Sequence, residues 1–335
     1  MLQTVNHVVL DSLRKLGLGS AQEVLGMAQL SGGVSSDIWR IDFQDHSICA
    51  KRALSKLKVA AHWEAPLSRN AYEYAWYQVI SPLFPHTVPQ MLGRDEEAGL
   101  FFMSYLEPEH HPVWKNQLLA KQIDPAFARS VGQSLGQIHR STANSKVLAQ
   151  RFPSDAEFFS LRLDPYLLAT AKRHPQLQTL LQTICDQTAN TPLVLVHGDI
   201  SPKNILCGPN SPVFLDAECA WYGDPAFDLA FCLNHLLLKA VHMPEQAEVL
   251  ANSFRQLKEA YMAMLDWESP AALEHRAARL LPALFLARVD GKSPVEYLTH
   301  EPQRQCVREI AQMCLLNSDP DLNLILETTV KALQP

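Results

Sequence analysis

The residues best able to do chemistry lie in one short stretch: His197-Gly198-Asp199-Ile200-Ser201-Pro202-Lys203-Asn204, then Phe214-Leu215-Asp216-Ala217-Glu218. Asp199 and Asn204 are separated by a tight loop, and Asp216 closes the next apolar segment. Apolar β-type residues precede His197 and Asp216 and flank Asn204, so three oxygen-bearing side chains are expected at adjacent strand ends. Phosphoryl transfer from a nucleotide requires such a set. A carboxylate must orient a hydroxyl and take its proton late, and hard oxygen donors must hold magnesium against the phosphates. On this reading Asp199 is the catalytic carboxylate, while Asn204 and Asp216 hold Mg²⁺. His197 reads as a brace for the loop. Glu218 either reaches the metal through water or caps the strand end. Without chemistry the same stretch is a hairpin, because turns use Asp, Asn, Gly and Pro anyway.

The spacing is that of the protein-kinase catalytic loop, H-R-D-x-x-x-x-N, with a metal-binding Asp after the following hairpin. Here glycine replaces the arginine, and Ala217-Glu218 stand where Phe-Gly would. Together with Gly223-Asp224-Pro225-Ala226-Phe227-Asp228-Leu229-Ala230, the stretch resembles the aminoglycoside phosphotransferase / choline kinase superfamily. The likeness is most specific over residues 193–232 and weaker over about 26–107. It implies a protein-kinase-like fold, ATP as cofactor, and phosphorylation of a small molecule. It also implies that Asp228 is buried and hydrogen-bonded to the catalytic-loop backbone, and that Ser104-Tyr105 meets adenine through backbone groups. The interval from Asp216 to Asp224 is too short for a long activation loop and no Ala-Pro-Glu follows. Control by loop phosphorylation and a protein substrate are therefore not expected.

A kinase also needs a strand lysine for the α- and β-phosphates and a helix glutamate to hold it. Lys51, in Ile48-Cys49-Ala50-Lys51, stands where the family's strand lysine would, with Arg52, Lys56 and Lys58 as rivals. Glu73 is its expected partner and Glu64 the alternative. Leu30-Ser31-Gly32-Gly33-Val34-Ser35-Ser36 is a glycine-rich loop without a full G-x-G-x-x-G. Backbone N–H groups around Gly32, Gly33, Ser35 and Ser36 are expected to cover the phosphates, although a plain hairpin turn would look the same.

These side chains need a scaffold. Residues up to about Leu16 read as a short amphipathic helix. From Val24 to about Ala53 the pattern alternates as strands do, notably over 37–43 and 47–51. A helix is expected over 56–79, then strand-like pieces over 88–92 and 100–105. Pro108 and Pro112 mark a polar hinge near 104–112. Beyond it Ala126–His139, Tyr166–Cys185 and most of the chain after Asp228 follow helical spacing. The β-rich island at 193–215 interrupts them. The expected architecture is α+β: a bilobal protein-kinase-like fold, with a small antiparallel-sheet N-lobe over 1–106 and a mainly helical C-lobe over 107–335. Asp224-Pro225 reads as an N-cap followed by proline in the first helical turn.

The acceptor is less legible. Ala287-Arg288-Val289-Asp290-Gly291-Lys292-Ser293-Pro294 reads most simply as a solvated helix terminus. The alternative is an acceptor contact through Arg288 and Asp290. Sugars, amino-alcohols, aminoglycosides and methylthioribose-like compounds all fit. Composition narrows the classes. The 335 residues are 47% hydrophobic and 19% charged, with a formal charge of −6. That is an ordinary globular balance and not the basic field of a nucleic-acid binder. No run reaches the roughly 18 apolar residues that span a bilayer. The seven cysteines form no CxxC pair, which fits a reducing cytoplasm. Two other readings stay open. One is a nucleotide-binding pseudokinase with a regulatory role. The other is a metallohydrolase using His197, Asp199, Asp216 and Glu218 around two metals, with no need of ATP.

Overall fold

The computed structural model describes residues 2–30, 36–54 and 68–334. A five-stranded antiparallel sheet occupies the first third of the chain: β1 Gly26–Gln29, β2 Ser36–Asp42, β3 Ser47–Ala53, β4 Met91–Asp95 and β5 Leu100–Ser104, in the order β1-β2-β3-β5-β4. Period-two alternation splits its faces. Trp39, Ile41, Ile48, Ala50, Leu100 and Phe102 pack on Val9 and Leu13 of the helix Leu2–Lys15. The intervening Cys49, Phe101 and Met103 belong to the main core on the opposite face. Lys51 follows the same alternation and stands between Ile38 and Phe101 in register.

The helix Arg69–Ile80 covers that inner face and buries Glu73, Trp76, Tyr77 and Ile80. The helix expected over 56–79 is seen only from Arg69; residues 55–67, with Lys56, Lys58 and Glu64, lie outside the described residues. Gly32, Gly33 and Ser35 do so too, whereas Ser36 is buried at the start of β2 and pairs with Ala53. The strand expected at 88–92 begins only at Met91, because Pro89 has no N–H to give a ladder.

After Leu106 the chain is mainly helical. Short strands β6 Val194–Val196, β7 Ile205–Cys207, β8 Pro212–Phe214 and β9 Trp221–Gly223 pair as β6–β9 and β7–β8. The sequence pattern did not reveal β9, whose three residues are too few to show a period. The long helix expected over Tyr166–Cys185 is broken. A π-helical segment, Phe159–Leu168, contains Pro165, whose ring displaces the carbonyl one turn earlier. A second break falls at His174-Pro175, before the helix Gln178–Ala189 resumes. Asp224 accepts a bond from the Ala226 N–H at 2.9 Å and Pro225 opens the buried helix Pro225–His242, as the sequence predicts.

Two close packings shape the helical part. A Cβ on Gly132 would lie 2.1 Å from the Leu257 carbonyl oxygen. Only glycine lets the helix Pro125–Thr142 lie this close to the helix Ala247–Met262. This contact brings the Tyr261 hydroxyl to His139 Nδ1 at 2.7 Å. The helix Pro270–Asp290 runs three residues further than a solvated end at Ala287 would allow. Ala287, Arg288, Val289 and Asp290 are all buried, so the first half of the turn expected to face solvent lies inside the protein, while Lys292 and Pro294 are exposed.

Candidate functional site

Two local devices shape the loop before Asn204. Gly198 has φ +79°, and a Cβ there would lie 2.4 Å from the Cys219 carbonyl oxygen. The glycine that stands in place of a kinase arginine is thus required by the backbone. Asp228, fully buried, accepts from the His197 N–H at 2.7 Å and from the Gly198 N–H at 2.9 Å. His139 Nε2 lies 3.3 Å from the same carboxylate. His197 Nδ1 in turn lies 3.2 Å from the Asp199 N–H, and its ring sits edge-on to Trp76 at 4.9 Å between centroids.

Asn204 Nδ2 donates to Asp199 Oδ2 at 2.8 Å and to the Asp199 carbonyl at 3.1 Å. Its amide oxygen therefore points away from Asp199. The Leu215 N–H donates to the Asn204 carbonyl at 2.9 Å, and this bond brings Asp216 beside the start of β7. Asp216 holds φ +69°, a left-handed conformation that non-glycine residues adopt at a cost and that recurs at functional sites. Its carboxylate meets the Lys51 ammonium directly. Lys51 also donates to Glu73 Oε1 at 2.6 Å. Tyr77 completes the link: its hydroxyl donates to Glu73 Oε1 at 3.3 Å and accepts from the Asp216 N–H at 2.9 Å.

The electrostatics follow from these contacts. Burial opposes the charge on Lys51, but Asp216 and Glu73 hold its pKa well above the ordinary value. Burial opposes the charge on Asp216 too, yet Lys51 and Lys203 hold that carboxyl well below the usual range. Glu73, deepest in the cluster, is pushed up to about 7 by burial against the pull of Lys51. Asp199 is lowered despite burial, because Lys203 and Arg162 face it. Arg162 Nη2 and Lys203 Nζ each lie 3.1 Å from Asp199 Oδ2. Arg162 Nε also donates to the Gly198 carbonyl at 2.5 Å. Burial pushes Glu218 up, and Arg69 Nε donates to it at 3.0 Å.

The structure thus brings Lys51, Glu73, Asp199, Asn204 and Asp216 together, with His197, Glu218 and Asp228 around them. The Ser104 and Tyr105 N–H groups bond the Gln90 and Ser47 carbonyls, so these two donors are already used within the protein. Arg288 donates to the Tyr166 hydroxyl at 3.1 Å and to Ser293 Oγ at 3.0 Å. Asp290 lies 2.8 Å from His174 Nε2 and pairs bidentately with Arg308 at 2.8 and 3.0 Å. Sequence reasoning gave no role to Arg162, Lys203 or Tyr77. Lys203 and Tyr77 sit inside motifs that were read, four residues from Asp199 and from Glu73. Arg162 had no local signal, because it reaches the loop from the π-helical segment.

The donor set suits a hard divalent cation. Asp216 offers a carboxylate and Asn204 an amide oxygen turned away from Asp199, and such oxygen ligands share Mg²⁺ with phosphates. No helix among the described residues is long and apolar enough to cross a membrane.

A five-stranded antiparallel sheet over a helical body, with a lysine–glutamate pair on the sheet and an Asp-Asn-Asp set below it, defines an α+β protein-kinase-like fold. The chain belongs to the phosphotransferase enzyme family, whose model matches residues 26–273. It is 22% identical over 249 residues to methylthioribose kinase 1 of Oryza sativa subsp. japonica, covering 66% of this chain and 58% of the relative. It is 24% identical over 255 residues to methylthioribose kinase of Escherichia coli O45:K1 (strain S88 / ExPEC), covering 68% and 60%. The chain therefore spans about three-fifths of these curated relatives' length. In structure it is similar to a choline/ethanolamine kinase family protein from Mesorhizobium loti, with TM-score 0.56 and 14% identity over 97% of this chain and 99% of the other.

Proposed function

We propose that this protein transfers the terminal phosphoryl group of ATP to a hydroxyl of a small molecule. The observation that carries this reading is the continuous path Glu73–Lys51–Asp216, joined through the Asn204 backbone to Asp199. A lone turn motif would not require a buried lysine from a distant strand.

In this mechanism Lys51, held by Glu73, positions the α- and β-phosphates. Asn204 and Asp216 would hold Mg²⁺, which when bound neutralises charge on the phosphates. The contacts from Asn204, Arg162 and Lys203 all fall on Asp199 Oδ2, so Oδ1 is the oxygen that meets the acceptor hydroxyl. Asp199 is a weak base, since two cations hold its pKa low. Its task is to orient the hydroxyl and take the proton late, as a loose phosphoryl-transfer transition state allows. Rate enhancement then comes chiefly from positioning and charge neutralisation. Asp228 holds the loop through the His197 and Gly198 amides without touching the reactants. We place the sheet lobe at residues 1–106 and the acceptor side in the helical lobe at 107–335. The names of the relatives put methylthioribose among the acceptors to test.

The rival metallohydrolase is disfavoured because the His197 ring is packed on Trp76 and its Nδ1 already faces the Asp199 N–H. A pseudokinase would not need the complete Asp199, Asn204 and Asp216 set. The deciding experiment is ATP consumption over a panel of hydroxyl compounds, with Asp199→Asn alongside. Turnover should fall by about a thousandfold or more while Mg-ATP affinity stays within about twofold. Wild-type rates in Asp199→Asn, or phosphate release that needs no ATP, would refute the proposal.

A further inference from the structure

The helix Pro225–His242 carries Phe231, His235 and Lys239 at four-residue spacing, hence on one face. Its upper end touches the catalytic loop. The Arg162 guanidinium, bonded to Asp199, lies 6.0 Å from the Phe231 ring centre and 5.9 Å from that of Tyr166. The His235 ring packs edge-on to Phe231 at 5.3 Å. The Tyr166 hydroxyl accepts from Arg288, whose guanidinium lies 5.7 Å from the same ring. One turn beyond His235, the Lys239 ammonium sits 5.2 Å from the centre of Tyr297. A line of basic side chains therefore runs from Asp199 into the helical part.

The inner end of this line has no carboxylate against it among the described residues. Lys51 and Arg162 each touch a carboxylate, as buried cations normally must. Lys239 is 1% exposed; among the described residues no ion pair reaches its ammonium, whose ring contact is with Tyr297. The nearby Glu296 is already paired with Lys115. Arg288 is 8% exposed, and its Nε, like the Tyr297 hydroxyl, is buried with no hydrogen-bond partner among the described residues. Burial and the neighbouring cation Lys115 lower Lys239 to about 7. Burial, Arg288 and Lys239 also push His235 well below its ordinary value. Buried basic groups without a carboxylate, beside orphaned donors, cost stability unless something negative completes them.

We infer that the acceptor carries an anionic group, a carboxylate or a phosphate, that docks on Lys239 and Arg288 and so sets its hydroxyl against Asp199. This inference rests on the phosphotransferase reading and narrows its acceptor class. It turns the site away from cationic amino-alcohols and aminoglycosides, which the same cations would repel, and away from uncharged sugars, which would leave them unpaired.

The test is calorimetric titration of the Mg-ADP-loaded protein with glycerate, glycerol 3-phosphate, glycerol, choline and methylthioribose. Glycerate or glycerol 3-phosphate should saturate the site, and which of them binds tighter tells carboxylate from phosphate. The charge-removing variant Lys239→Met should weaken that binding at least about tenfold, as should Arg288→Gln, with Mg-ATP affinity unchanged within about twofold. Mg-ATP binding also reports that each variant is folded. The inference is overturned if glycerol, choline or methylthioribose binds more tightly than both anions. It is equally overturned if anion binding ignores Lys239→Met, or if neither anion saturates. A wild-type protein that fails to bind Mg-ATP would instead break the phosphotransferase reading.

Discussion

Lys51 and Lys239 are both almost wholly buried, at 2% and 1% exposure, and they have opposite electrostatics. Lys51 touches two carboxylates and its proton is held more tightly than in water. Lys239 touches none among the described residues, and its pKa falls to about 7. Burial alone therefore does not set a buried amine's charge. The carboxylates in contact with it do.

The comparison can be broken most sharply by removing each charge in turn. Lys51→Met should lower kcat/KM for ATP by about a hundred- to a thousandfold. It should also lower the melting temperature, since Glu73 and Asp216 would face each other without a cation. A variant with wild-type turnover would show that Lys51 does not serve the phosphates. Gly198→Ala should be next in severity. With φ +79° and the Cys219 carbonyl in the way, it should cost about 2–4 kcal/mol in denaturant titration. Turnover should fall with it, because Asp199 follows directly. Unchanged stability there would mean that the loop re-forms without its glycine.

A smaller effect contrasts the two lysines directly. Glu73→Ala leaves buried Lys51 with one partner fewer and should destabilise by about 3 kcal/mol. Lys239→Met removes a buried amine with no carboxylate partner and should leave stability unchanged or raise it by up to about 1 kcal/mol. If thermal melts rank these two variants the other way, Lys239 has a partner in the ligand-free protein and the contrast fails. The smallest effect concerns pH. The Glu73 pKa rises from an ordinary 4.5 to about 7, so the folded protein holds that proton more tightly than the unfolded chain. The group's stabilisation is complete below 4.5 and is lost as pH rises through 7. The melting temperature of wild type relative to Glu73→Gln should be highest near pH 5 and fall by roughly 2 °C or more by pH 8.

The catalytic loop was legible because its information is local. The His197-to-Asn204 spacing and the Asp224-Pro225 cap depend on neighbours a few residues away. Lys51 was legible because period-two alternation in β3 decides which face it takes. Arg162 was not, because its contact with Asp199 depends on how the chain returns after Pro165. The buried end at Arg288 and Asp290 was misread for a related reason. A charged turn after an apolar helix looks solvated unless the helix packed over it is known, and here Arg308 of the helix Glu301–Leu315 supplies a countercharge for Asp290. The signal for Lys239 was present but unread: a lone cation within Leu236-Leu237-Leu238-Lys239-Ala240-Val241 on a helix buried on all sides.

Tyr77 fastens the helix Arg69–Ile80 to the backbone of Asp216 through a single phenol. Swinging that helix outward would strand a carboxylate, an ammonium and a hydroxyl together in an apolar core, a penalty no single modification easily offsets. Assembly of this cluster is thus settled when the chain folds.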